Sequence, residues 1–72
     1  MTQQEKIEML EDIMEVEEGT LKPDMVLADI EEWDSLTTLA LAVKVRSLYS
    51  KNLTADEIKS FITVEDVCNY LD

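Results

Sequence analysis

The chain has 72 residues and a net charge of −11, from 17 acidic against 6 basic side chains, and 46% of it is hydrophobic. That length supports one domain, residues 1–72, with a small core. The hydrophobic share is that of a folded protein, not of a disordered acidic tail. The charge opposes binding to nucleic acid and to anionic membranes, and steers the chain toward partners with basic patches. One cysteine excludes an intramolecular disulfide. No run approaches the roughly 20 apolar residues of a membrane span, and the start Met1-Thr2-Gln3-Gln4-Glu5 is unlike a secretory leader. A cytoplasmic, monomeric protein is expected.

The first helix is predicted from about Gln3 to Val16. Thr2 followed by Glu5 is a capping-box signature. Ile7, Leu10, Ile13 and Met14 recur at spacings of three and four and make one apolar stripe. Glu5, Glu8, Glu11, Asp12 and Glu15 are assigned to the other side. Gly19 and Pro23, the only glycine and proline, act as stop signals. Residues 18–33 make a long connection whose Leu21, Met25, Val26, Leu27, Ile30 and Trp33 pack it onto a helical core. Long loops in compact domains are uncommon unless functional.

The second helix is predicted from Ser35 to about Tyr49, with Asp34 as N-cap. Leu39, Leu41, Val43 and Val45 alternate like a strand, but the segment's length, its cap and its lack of glycine and proline favour helix. It is apolar nearly all round, so one face enters the core and the other lines a cavity or meets a partner. Thr54…Glu57 and Thr63…Asp66 repeat the capping signature. They open a short helix from Ala55 to about Ser60 and a last one from Val64 to Leu71, with Val67, Cys68 and Leu71 inward. The fold class is all-α, a four-helix bundle with a long first loop and a short third helix.

The absence of histidine excludes a Ser-His-Asp hydrolase. No ordinary zinc set is present, and no segment has the ligand spacing of an EF-hand. No metal site and no catalytic residue is therefore assigned, and the protein is read as not an enzyme. Ser35 instead reads as an attachment point. The first turn of a helix has unpaired N–H groups and the positive end of the helix dipole, both suited to a phosphate.

In its order of elements, with Asp34-Ser35-Leu36 after the long loop and Phe61-Ile62-Thr63-Val64 before the last helix, the chain resembles the acyl carrier protein family. The resemblance covers essentially the whole length. It implies a 4'-phosphopantetheine arm joined to Ser35, with Asp34 as a contact for the phosphopantetheinyl transferase that installs it. The arm's thiol would carry an acyl group as a thioester to synthase enzymes. Leu36, Leu39 and Val43 fall on one line starting beside Ser35. They read as a docking stripe, with Arg46 beyond it, or equally as core.

The chain departs from the fatty-acid carriers, which usually bear acids along the second helix. Here Ala40, Arg46 and Ser47 hold the matching positions, and Lys44 adds a charge. Trp33 stands before the motif, as in discrete carriers of specialised pathways, whose cargo is often loaded by an AMP-forming ligase. Trp33 also reads as an anchor pinning the loop. The cargo, fatty acyl, polyketide or aminoacyl, is not legible, so an aminoacyl or peptidyl carrier stands as the alternative. An unmodified acidic interaction module is the reading from another class. Cys68 and the methionines Met9, Met14 and Met25 are assigned to packing.

Overall fold

Helix starts in this chain are fixed by side chains. In the computed structural model, which describes residues 2–71, α1 (Gln3–Met14) opens on Thr2, α3 (Ala55–Ser60) on Thr54 and α4 (Val64–Tyr70) on Thr63. Each threonine hydroxyl accepts from the amide three residues on. Glu5, Glu57 and Asp66 in turn accept the threonine's own N–H, so all three capping boxes are complete. α2 (Ser35–Tyr49) opens on Asp34, whose carboxylate accepts from the Thr37 N–H at 3.0 Å.

α1 packs against both α2 and α4. Ile7, Leu10 and Met14 are buried as the spacing predicts, with Ile13 only half-buried. They meet Leu41 and Val45 of α2 and Val64, Val67, Cys68 and Leu71 at the other end of the chain. The short α3 contributes no buried residue. Met9 and Met14 belong to the core and Met25 packs against it.

α1 ends two residues earlier than predicted. Glu15 turns left-handed at φ 59°, its N–H donating to the Asp12 carbonyl and that of Val16 to the Glu11 carbonyl. This is a Schellman closure with glutamate where glycine is usual. Gly19, which the pattern suggested as the stop, lies beyond it in the loop at φ 89°.

The loop is fastened at two places. At its start Glu11, assigned to the solvent side by spacing, is 2% exposed. Its Oε2 accepts the N–H groups of Gly19 and Leu21 at 2.8 and 3.0 Å. A buried backbone N–H needs such an acceptor, and this need overrides the helical spacing that placed Glu11 outside. Lys6 of the same helix is also buried. In its middle the loop pairs with the α3–α4 turn. Leu27 N–H donates to Ile62, Val64 N–H to Met25 and Glu65 N–H to Pro23, around an antiparallel bridge between Val26 and Thr63. Leu21, Leu27 and Ile30 then enter the core, while Val26 stays at the surface.

Two tests follow from these fasteners. Glu11→Ala strands two loop amides and should cost about 1–3 kcal/mol in denaturant unfolding. Glu11→Gln keeps an acceptor oxygen and should cost clearly less. Asp66 accepts from Thr63 and Ile62 N–H groups, which hold its carboxyl below its ordinary value of 3.8. Its contribution is then complete above that value and is lost as pH falls through the lowered one. Thermal melts should show Asp66→Ala below the parent at pH 7, with the gap closing as pH drops below 3.8.

Candidate functional site

The end of the loop and the first turn of α2 form one knot. The Thr37 hydroxyl donates to the Glu32 carbonyl at 2.6 Å while its N–H donates to Asp34. Asp34 N–H also reaches the Glu32 carbonyl, and Trp33 N–H that of Ile30. Trp33 is half-buried and packs against the core, which is the anchoring half of its two readings. These bonds set where the helix begins and leave Ser35 as its first residue, exposed.

Thr37 was not among the residues the sequence singled out, although it is buried and ties both sides of the knot. Its signal was present in the spacing. Thr37, Leu41 and Val45 lie four apart and are the buried residues of α2. A polar residue at the head of an inward line calls for partners, and Thr37 has two.

With that line turned inward, the other face of α2 is bare. Leu36, Leu39 and Val43 are 78%, 63% and 64% exposed, and Leu48 is more than half exposed. The even choice between core and surface for this stripe is thereby decided for the surface. Arg46 is exposed further along, its Nη1 donating to the Asn52 side chain. Ser35, Asp34, Leu36, Leu39, Val43 and Arg46 thus lie on one helix and its cap. Cys68 is buried in the core, as expected.

A phosphate suits the start of α2. Asp34 accepts the amide of Thr37, while those of Ser35 and Leu36 stand in the first turn, where no intrahelical acceptor exists. The fifteen-residue helix adds its dipole behind them. A shallow groove of about 310 Å³ lies beside the cap, bounded by Ile13, Glu32, Asp34 and Leu36 among others, and Ser35 itself is exposed outside its lining.

The chain matches the family model for the phosphopantetheine attachment site over residues 7–71. It belongs to this family. It is thus a carrier domain, a site of covalent 4'-phosphopantetheine attachment, consistent with the acyl carrier protein family. Neither a curated protein nor a solved structure matches the chain. Domains of this family are in general carriers, not catalysts, and work with phosphopantetheinyl transferases and synthase enzymes. The four-helix architecture of the carrier domain is the one predicted. Among its described residues no three His, Cys, Asp or Glu side chains are grouped to hold a metal ion. No described helix is long and apolar enough to cross a membrane.

The opposed faces of α2 give a paired test in this carrier domain. Leu41→Ala, at 0% exposure, should cost about 2–5 kcal/mol in chemical denaturation. Leu39→Ala, two residues earlier, should change stability by less than about 0.5 kcal/mol.

Proposed function

We propose that Ser35 bears the phosphopantetheine arm and that residues 1–72 form a single carrier domain, which presents an acyl thioester to biosynthetic enzymes. The observation behind this reading is an exposed serine at the first position of a long capped helix, inside the span matched by the family model. The arm's terminal thiol supplies the thioester linkage. The protein supplies the tether and the docking surface, and tethering raises the local concentration of cargo at a partner's active site.

Asp34 serves as cap and as a contact for the transferase, together with the acids Asp29, Glu31 and Glu32 just ahead of it, whose side chains are exposed. A basic transferase is drawn to that end of the molecule. Leu36, Leu39 and Val43, with Arg46 at their end, form the surface on which loading and downstream enzymes dock. An aminoacyl cargo would use the same arm and serine, and the loading ligase decides between the two. The carrier works as a monomer and without catalysis of its own. A cytoplasmic location suits a chain with one cysteine.

The test is the intact mass of the protein before and after incubation with coenzyme A, magnesium and a promiscuous phosphopantetheinyl transferase. A gain of one phosphopantetheine is expected, with none in Ser35→Ala and with the melting curve of that variant close to the parent's. No gain with several transferases, or a gain that persists in Ser35→Ala, would overturn the assignment.

A further inference from the structure

The acidity of this chain is concentrated away from the serine as well as beside it. A groove of about 580 Å³ runs between α1 and the C-terminal half of α2. Glu8, Asp12 and Glu18 rim it, and Glu5, already engaged in the α1 cap, stands at its end. Met9, Val16 and Leu48 supply its apolar walls, Leu48 being more than half exposed. Among the described residues, Lys44 is the one cation that lines it. Beneath lies Glu11, whose Oε2 holds the loop but whose Oε1 is buried with no hydrogen-bond partner among the described residues. A buried carboxylate oxygen without a donor is costly, and its charge adds to the field of the acids that rim the groove above it.

We propose that this groove is a second docking site, which takes a lysine- or arginine-bearing apolar segment of a partner protein. The carboxylate rim outnumbers Lys44 and selects a cation. The methionine, valine and leucine walls select a cation carried on a hydrocarbon stem, as both lysine and arginine are. At 1.5 Å per residue, Lys44 and Leu48 stand about 13 and 20 Å along the helix from Ser35. A partner held there grips the domain without covering the serine, and leaves the start of α2 open to an active site. Charge steering toward so acidic a surface adds to the rate of encounter.

The probe is a synthetic amphipathic peptide of leucine and lysine, titrated into the ¹⁵N-labelled protein, beside an analogue with glutamate for lysine and beside spermidine. The lysine peptide should shift the amides of Met9, Val16, Lys44 and Leu48, and the glutamate analogue should not. The double variant Glu8→Lys/Asp12→Lys should weaken the peptide about tenfold or more, whereas Asp29→Lys/Glu31→Lys in the loop should change it less than about twofold. Leu48→Ala should also weaken it. Equal losses from both charge pairs, or shifts spread over every acidic face, would overturn the proposal by reducing it to general attraction. Spermidine bound at the same amides with the peptide's affinity would overturn it in favour of a free polyamine. Arm attachment measured by mass in Glu8→Lys/Asp12→Lys should be unchanged, so the outcome does not depend on which residue bears the arm.

Discussion

The structure depends on fastening a loop of some twenty residues to three short helices and one long one. A free loop would let α2 begin anywhere along its apolar run, because almost any register of that helix buries something. Three sets of hydrogen bonds remove the freedom. Glu11 holds the loop's start, the α3–α4 turn holds its middle through Leu27, Val64 and Glu65, and Thr37 with Asp34 holds its end. At each place the bonds satisfy the N–H of a buried residue, Leu21 at the start, Leu27 and Val64 in the middle and Thr37 at the end, which would otherwise lack an acceptor.

The consequence for function runs through α2. Once its first turn is fixed, the line Thr37, Leu41, Val45 must face α1, and the line of Leu36, Leu39 and Val43 must face solvent. An exposed apolar stripe is a liability for a small monomer unless something covers it in use. In a carrier domain the same geometry is serviceable, since the stripe begins beside the residue at the helix mouth. The acidic surplus opposes self-association through the stripe, and divides into a cluster before the helix and a groove along α1. The core that supports this is small, and α3 adds nothing fully buried to it. The caps therefore matter more here than in a larger domain, where packing alone would hold the helices.

Much of this was legible from residues alone. The capping boxes at Thr2, Thr54 and Thr63 and the Asp34 cap located four helix starts, because a cap is a local bond between residues three apart. The stripe of α1 and the inward face of α4 followed from the period of 3.6. The serine at a helix mouth was visible for the same local reason, as was the burial of Cys68. What local patterning could not carry was the end of α1, where a glutamate took the left-handed position expected of glycine. It also could not carry Glu11, whose place among charged neighbours looked like solvent.

The sequence by itself determined the helices, their starting residues and the position of Ser35, since these rest on propensity, capping and spacing within a few residues. Only the tertiary structure decided which face of α2 is bare, that Glu11 and Thr37 are buried ties, and that the acids of α1 make a groove with the far end of α2. Those outcomes depend on bonds between residues such as Glu11 and Leu21, Leu27 and Ile62, or Thr37 and Glu32. An apolar helix with two plausible inward faces is resolved by what is fastened to its ends, and that is a property of the assembled chain.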